Sequence, residues 1–306
     1  MRWLFKAAVQ KTLSAWPQGE RLNYLLQRHL THGLPRGRAE LAEKFNNAVA
    51  HYRAAKRWGG LVGGPRSAYE FGSGWELAVP LCLHMLGVRR QTLVDLRPLA
   101  RWELLADAWV KLGGIAAEVA GAALAGGHAL KALEGPPPAG LAELKRRLGI
   151  AYRAPCDARR TGLPAGSFDL VHSTEVLEHI PEADLTPILA ECRRLLAPGG
   201  VVSLQVDMQD HYSYFDRRAG VYNYLRFSEG AWRLVNSGLH YQNRLRLPDY
   251  LRALERAGLR LAGQEVVWPS PADLELLRRL PLAARFRGLD PRELGARSAL
   301  LVCRGD

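Results

Sequence analysis

Short apolar runs alternate with stretches of helical periodicity from residue 66 to the end of the chain, and this alternation restricts the possible folds more than any other feature. A short apolar run between turn signals is typical of a buried strand. Strands that alternate with helices pair in parallel, with helices on both faces of the sheet. The predicted strands cover 67–71, 91–95, 150–153, 168–173, 200–206, 259–267 and 297–303. The sequence therefore predicts an α/β fold around a seven-stranded, mostly parallel sheet.

Residues 1–65 show helical periodicity and no strand signals. The apolar positions that repeat with this period are Leu22, Leu25, Leu26 and Leu30, followed by Leu41, Phe45, Val49 and Tyr52. We therefore predict an N-terminal helical extension over 1–65, with a lid as one role open to it, and an α/β domain over 66–306. An apolar segment over 99–133 predicts a further helix, either buried or facing a partner. The clearest helix follows the fourth strand, and the Pro-Gly-Gly sequence at 198–200 is expected to end it.

Composition favours a well-buried core and a basic surface. The chain is 48% hydrophobic and carries a net charge of +12, mostly from arginine. A basic surface favours anionic partners, although a compositional bias toward arginine explains the charge equally simply. The four cysteines form no C-x-x-C pair, which fits a reducing cytoplasm and argues against a disulfide framework or a zinc knuckle. We expect a cytoplasmic protein, because no apolar run reaches the ~18 residues that cross a bilayer.

The first helical stretch begins with Trp3, Leu4 and Phe5. These side chains offer two alternatives. They could dip into a lipid surface, as interfacial helices do. The alternative that we favour is that they pack on the domain, which is the usual fate of a hydrophobic helix face.

The run Tyr-Glu-Phe-Gly-Ser-Gly-Trp at 69–75 places two glycines directly after the first predicted strand, and an amphipathic run begins near Glu76. A strand that stops at a glycine turn and restarts as a helix directs backbone N–H groups and a partly positive helix end at one point. Glycine is needed there because a Cβ would keep a ligand away from the backbone. Asp95 ends the second strand about 20 residues downstream, the spacing of a nucleotide fingerprint in which a carboxylate meets ribose hydroxyls.

Three further motifs follow in order along the chain. They are Cys156-Asp157-Ala158 before Leu163-Pro164, the run SFDLVHSTEVLEH from Ser167 to His179, and the run RLLAPGG from Arg194 to Gly200. Together with the glycine turn and Asp95, they resemble the class I S-adenosylmethionine-dependent methyltransferases. The similarity is greatest to the small-molecule group that includes the ubiquinone-pathway O-methyltransferases. The resemblance implies a Rossmann-like sheet closed by an antiparallel hairpin, which the last predicted strands fit.

The resemblance also implies which residues bind the cofactor, S-adenosylmethionine. The turn from Glu70 to Gly74 is expected to cradle its methionine part, Asp95 to accept hydrogen bonds from its ribose, and Asp157 to bind its adenine amino group. The full expected set is Glu70, Phe71, Gly72, Ser73, Gly74, Asp95, Leu96, Asp157, Ala158, Ser173 and Thr174. Glu76 departs from the family, which has a third glycine there. A nicotinamide cofactor is the competing occupant, but it leaves the later motifs unexplained.

Methyl transfer to a hydroxyl requires a group that takes up the hydroxyl proton. Glu178 and His179 lie together after the fourth strand, and His211 follows the fifth at the same edge of the sheet. One interpretation makes His211 or His179 the general base, because imidazole titrates near neutral pH. A second makes Glu175, Glu178, His179 and His211 ligands of Mg²⁺ or another divalent cation, as a resemblance to metal-dependent O-methyltransferases, including the plant small-RNA 2′-hydroxyl enzymes, implies. A third makes these residues structural.

Polar aromatic and basic residues are interleaved over 207–247. Such an insert suits a pocket for a polar, ring-containing acceptor, and it suits an aromatic cap packed on the sheet equally well. The predicted function is methylation of an oxygen of a small polar molecule or glycan. RNA methylation and a non-catalytic cofactor-binding subunit stay as alternatives. Nucleic acid is the weaker prediction, because the chain shows no concentrated Lys/Arg run and no appended RNA-binding module.

Overall fold

A computed structural model of the 306-residue chain describes residues 2–14, 16, 18–29, 33–123, 130–216 and 218–305. Its strands are β1 (Ser67–Phe71), β2 (Arg90–Val94), β3 (Ile150–Arg153), β4 (Phe168–Thr174), β5 (Leu196–Asp207), β6 (Arg260–Val267) and β7 (Ser298–Arg304). They form one sheet in the order β3-β2-β1-β4-β5-β7-β6. Of these strands, β1 to β6 run in the same direction, and β7 runs antiparallel to both of its neighbours, β5 and β6. The predicted mostly parallel, Rossmann-like sheet is confirmed.

Helices cover both faces of this sheet. The described helices are α1 (Arg2–Ser14), α2 (Gly19–His29), α3 (Arg38–Gly59), α4 (Ala78–Met85), α5 (Trp102–Ala123), α6 (Leu141–Leu148), α7 (Glu182–Leu195), α8 (Tyr212–Phe215), α9 (Glu229–Val235), α10 (Leu247–Arg256), α11 (Pro271–Arg279) and α12 (Pro291–Leu294). Successive strand side chains point to opposite faces. Leu170 therefore joins a core with α3, α4, α5 and α6, while its neighbour Val171 joins a core with α7 and α10.

The N-terminal helices differ in how they join the domain. Leu41 and Phe45 of α3 have no exposed surface and lie in the same core as β1 and β4, so α3 is continuous with the sheet. α5 lies within the predicted segment 99–133, and its inner face is buried in that core as well. Residues 124–129 of that segment and Leu30 of the first apolar pattern lie outside the described residues.

The fifth strand begins earlier than the sequence predicts. α7 ends at Leu195 and β5 starts at the next residue, so the Pro-Gly-Gly sequence at 198–200 lies inside the strand. The pairing with β4 shifts between Phe168 and Leu170, because the extra residues of β5 bulge out of the ladder. The prediction that 198–200 end the helix is therefore wrong.

Aromatic side chains of the 207–247 insert form a small core of their own. Tyr222, Tyr224 and Trp232 are buried there, together with Trp3 of α1. The Trp3 ring lies 5.3 Å from that of Tyr212, so this side chain packs on the domain as favoured above. Much of the insert is therefore a packed cap, and the rings of Tyr222, Tyr224 and Trp232 are unavailable to an acceptor.

Two arginines hold this cap from inside. Arg244 is wholly buried, donates to the carbonyls of Tyr224 and Phe227, and pairs with Glu229 at 2.7 Å. Arg246 donates to the backbone carbonyls of Met208 and Ala296. Buried charges are retained in proteins when they are paired or hydrogen-bonded. These arginines are occupied within the protein and do not line a binding site.

Candidate active site

A cavity of about 490 Å³ opens at the carboxyl ends of β1, β2 and β4. The chain reverses its direction across the sheet between β1 and β4, and such a switch point is where α/β proteins bind ligands. The predicted cofactor residues that line the cavity are Glu70, Phe71, Gly72, Ser73, Gly74, Asp95, Leu96, Asp157, Ala158 and Thr174.

Ser173 is the one predicted cofactor residue that does not line the cavity. Its hydroxyl donates to the carbonyl of Phe71 at 2.9 Å and is fully buried between β1 and β4. The next residue, Thr174, points to the opposite face of the strand and reaches the cavity, where its hydroxyl lies 3.0 Å from Nε2 of His51. Ser173 therefore does not line the cavity, and its predicted contact with the cofactor stays a prediction.

The glycine turn has the backbone geometry that glycine permits. Gly72 and Gly74 have φ angles of 77° and 76°. After them comes a short turn rather than a helix, and α4 begins only at Ala78. All eight side chains of α4 are buried, since the helix packs between α3 and α5. The predicted amphipathic helix starting near Glu76 is therefore wrong in both start and character.

We expect Gly72→Ala to lower the free energy of unfolding by about 2–5 kcal/mol, because it combines a left-handed backbone with a steric clash. A Cβ at Gly72 would lie 2.5 Å from a methyl group of Val176, whereas one at Gly74 would meet nothing within 4 Å. Gly74→Ala is thus the matched control, with an expected loss of about 1–2 kcal/mol. Urea denaturation measures both, and equal losses would show that the contact with Val176 is irrelevant.

Two buried carboxyl groups face the cavity with oxygens left free. Asp95 accepts the Ser73 N–H at 3.0 Å through Oδ1, while its Oδ2 has no partner among the described residues. Oε2 of Glu70 is likewise buried without a partner in the described ranges. Burial raises the pKa of Asp95 to about 7 and that of Glu70 to about 8. Unpaired buried acceptors are destabilising, so these oxygens are poised for a ligand that donates hydrogen bonds.

The raised pKa of Glu70 predicts a pH effect on stability. The folded protein holds the proton up to about pH 8, whereas the unfolded carboxyl loses it near 4.5. Stability is therefore full below the unfolded pKa and declines as the pH rises toward the folded pKa. We expect Glu70→Gln to reduce that decline by up to about 1.4 kcal/mol per pH unit.

Urea denaturation of the ligand-free protein at pH 5.5, 6.5 and 7.5 checks this expectation. Asp157→Asn is the control, because Arg159 lowers the pKa of Asp157 below its usual range and hence below this window. The control should shift stability equally at every pH. Parallel curves for wild type and Glu70→Gln would contradict the assignment.

Asp157 lies at the cavity but is engaged by a neighbour. Its two oxygens accept the backbone N–H and the guanidinium of Arg159, with distances of 2.7–3.0 Å. Arg159 also donates to Asp184 at 2.7 Å. A carboxylate has about four acceptor positions, and Arg159 occupies them. Asp157 can accept from an adenine amino group only if Arg159 moves, so its predicted role has less geometric support than that of Asp95.

A cluster of histidines borders the cavity on the side of the insert. His179 and His240 line it, and the His211 ring lies behind them, 5.0 Å from His179 and 5.4 Å from His240. Nδ1 of His179 lies 2.6 Å from the carbonyl oxygen of Tyr241, and Nε2 of His211 lies 3.0 Å from Oδ2 of Asp207. Both partners are pure acceptors, so these nitrogens carry the hydrogens. The other nitrogen of each ring keeps a free lone pair.

Glu178 completes this cluster. One potential ligand atom each from Glu178, His179 and His211 lies within 4.8 Å of the others. Both carboxyl oxygens of Glu178 are buried and unpartnered in the described part of the chain, and burial raises its pKa well above the usual range. Burial, reinforced by His211, lowers the pKa of His179 to about 4, so its ring is neutral at pH 7.

Glu175 does not join the cluster. Its carboxylate pairs with the ammonium of Lys44 on α3 at 2.5 Å, and both residues line the cavity. Of the four predicted metal ligands, Glu178, His179 and His211 lie together in the described structure. The fourth, Glu175, forms an ion pair with Lys44 instead.

Sequence reasoning missed several residues of the site. Arg36 and Lys44 reach the cavity from the N-terminal extension, and no local pattern marks them. Asp207, which orients His211, could have been found from its position four residues earlier at the end of β5. His240 was noted only as part of the insert.

The sheet order, the cavity at the carboxyl ends of its strands and the glycine turn are those that the resemblance to class I methyltransferases implies. The comparisons agree, since a family model described as a methyltransferase domain matches residues 137–204. The chain is 31% identical over 125 residues to the ubiquinone biosynthesis O-methyltransferase of Methylococcus capsulatus, covering 40% of this chain and 49% of that protein. It is 32% identical over 115 residues to the enzyme of the same name from Nitrosococcus oceani, and this match covers 38% of this chain and 45% of that protein.

Among solved structures, the chain is similar to a geranyl diphosphate methyltransferase in complex with S-adenosylmethionine. The identity is 14%, the TM-score is 0.46, and the match covers 90% of this chain and 93% of that one. The chain spans about half the length of the curated relatives it matches. The resemblance predicted from the motifs is confirmed: residues 137–204 match the model of a methyltransferase domain, and the relatives named above are O-methyltransferases.

Proposed function

We propose that the protein transfers a methyl group from S-adenosylmethionine to an oxygen of a small polar acceptor. The observation that carries the proposal is the set of unpaired buried oxygens on Asp95 and Glu70 at the glycine turn. A ribose diol and an α-ammonium group supply the hydrogen-bond donors that these oxygens lack. The relatives named as O-methyltransferases support oxygen as the acceptor atom.

Calorimetric titration with S-adenosylhomocysteine, the demethylated product, tests the cofactor assignment. We expect one binding site per chain. Titration with a nicotinamide dinucleotide is the matched control and should give no heat of binding. The reverse outcome would replace the methyltransferase proposal with an oxidoreductase.

Two cations from the extension are proposed to bind the carboxylate of the cofactor's methionine part. Arg36 lies in the cavity wall next to Glu76, at 3.7 Å, and Lys44 is held by Glu175. The Glu70 carboxyl group lines the same cavity, and its Oε2 accepts no hydrogen bond from the described residues. An amino acid zwitterion is complementary to such an arrangement.

The chemistry required of the protein is alignment and proton removal. The sulfonium of the bound cofactor already activates the methyl group. The cavity walls must hold acceptor, methyl and sulfur in line, since alignment alone lowers the barrier substantially. The free nitrogens of His179 and His211 are proposed to take up the acceptor proton, with Asp207 holding His211 in the required tautomer.

A divalent cation at Glu178, His179 and His211 is a second proposal for the same cluster. The fit is favourable, because a carbonyl and a carboxylate orient the two imidazoles as second partners orient metal-bound histidines, and Glu178 lacks any other partner among the described residues. A bound cation would acidify an acceptor hydroxyl. Binding of Mn²⁺, measured by electron paramagnetic resonance, tests it. Glu178→Gln should abolish binding and Glu175→Gln should preserve it.

Methylation of RNA is the alternative that the basic charge leaves open. Its acceptor would bind with a steep dependence on salt, because phosphate contacts release counterions. The burial of Arg244 and Arg246 weighs against it, since these two basic residues of the insert are out of reach of a nucleic acid. A small polar molecule or a glycan stays the proposed acceptor.

A further inference from the structure

The N-terminal helices and α8 carry an unusual share of the exposed apolar side chains. No helix in the described ranges is long and apolar enough to span a bilayer. Nevertheless, among the described residues, six of the fifteen exposed large apolar side chains lie on α1, α2 and α8, which together make up less than a tenth of the chain. They are Leu4, Phe5, Leu22, Leu25, Tyr214 and Phe215. We call this group the apolar face.

The three helices are connected through α1. α1 packs against both α2 and α8. Trp3 points inward and anchors α1 on the aromatic core of the insert, which leaves Phe5 outward and 75% exposed. A phenylalanine so exposed gains nothing from the fold of this chain, because its surface stays in water. The apolar face therefore lacks the partner that would bury it.

Cations accompany these apolar side chains. α1 contains no acidic residue, and its Lys6 ammonium lies 4.6 Å from the centre of the Phe215 ring. Arg21 on α2 and Arg218 just after α8 are exposed. Leucine and aromatic side chains mixed with lysine and arginine are the composition of helices that lie in the plane of an anionic membrane surface.

We propose that the apolar face docks on an anionic lipid surface. Leu4, Phe5 and Phe215 enter the headgroup region, while the cations meet acidic headgroups. The inference is independent of the methyl-transfer chemistry. It uses no residue assigned above to the cofactor or to proton removal, apart from the proximity of Tyr214, whose ring lies 5.4 Å from that of His211.

Sedimentation with sucrose-loaded vesicles tests the proposal. Wild type should bind phosphatidylcholine vesicles that contain phosphatidylglycerol, bind pure phosphatidylcholine weakly, and dissociate as salt rises, since salt screens the headgroup charge. The double variant Leu4→Ser, Phe5→Ser should bind the anionic vesicles at least about tenfold more weakly, because two apolar side chains no longer leave water.

Val62→Ser and Val110→Ser are the matched controls, with side chains 86% and 71% exposed on the loop after α3 and on α5. They should bind vesicles like wild type. All variants should bind S-adenosylhomocysteine equally, which shows that each is folded and separates this proposal from the proposed function. Unchanged vesicle binding by the double variant overturns it. So does sedimentation velocity showing a dimer that the double variant dissociates, since the face would then bind a second copy of the chain.

Discussion

Asp95→Ala is expected to raise the dissociation constant of S-adenosylhomocysteine about 100-fold or more. Two hydroxyl hydrogen bonds to a carboxylate are worth about 1.5–3 kcal/mol each, and about 1.4 kcal/mol corresponds to a factor of ten. The alanine also removes the acceptor of the Ser73 N–H, which fixes the glycine turn. Calorimetric titration at pH 8 gives the constant directly.

The pH of that titration matters because the Asp95 pKa is about 7 in the ligand-free protein. Below that pH a proton competes with the ligand, so wild-type affinity should weaken as the pH falls from 8 to 6. Asp95→Asn keeps the shape and one acceptor, and its expected loss is about tenfold. Asp157→Ala should cost less than Asp95→Ala, since Arg159 already occupies its oxygens. If both alanine variants bind like wild type, the cofactor assignment fails.

The second large effect concerns the histidine cluster. The double variant His179→Ala, His211→Ala is expected to lower turnover by about 10²- to 10⁴-fold, the usual contribution of a positioned acid or base. Affinity for S-adenosylhomocysteine should stay within about twofold, because Asp95 and Glu70 carry the expected binding energy. Turnover is measured as the release of S-adenosylhomocysteine in the presence of a hydroxylated acceptor that the wild-type protein methylates. His29→Ala, on the exposed surface of α2, is the matched control.

Chelation separates the two proposals for this cluster. If the histidines act as bases alone, treatment with EDTA leaves wild-type turnover unchanged. If they hold a cation, EDTA abolishes turnover and added Mg²⁺ restores it, while Glu178→Gln loses activity and Glu175→Gln keeps it. Full turnover by the double histidine variant would contradict both, and the cluster would then be structural.

The sheet could be predicted from sequence because its signals are local. In β4, the adjacent residues Leu170 and Val171 place apolar side chains on opposite faces, as a strand buried between two helix layers requires. The same holds for the glycine turn, where Gly72 has a positive φ that few other residues tolerate. Asp95 follows from fixed spacing behind that turn. These features depend on residues close in the chain, so the sequence contains them directly.

The site beyond the cofactor could not be predicted in the same way. Lys44 forms an ion pair with Glu175, which lies 131 positions further along the chain. Arg159 donates hydrogen bonds to Asp157, and this contact depends on how the arginine side chain is oriented. Neither event changes a motif. The aromatic and basic residues of the insert give the same sequence pattern whether they line a pocket or pack inside a cap, and only burial distinguishes the two.

The sequence by itself determined the order of the strands and helices, the glycine turn and the carboxylate that follows it, since each rests on periodicity or spacing within a few tens of residues. The tertiary structure alone decided which polar groups are left without partners. That outcome sets apart Asp95, Glu70 and Glu178, whose buried carboxyl groups keep oxygens without a partner among the described residues, from Ser173 and Glu175, whose partners come from distant parts of the chain. The physical reason is that hydrogen bonding and desolvation act through space, between residues that the chain brings together only once it has folded.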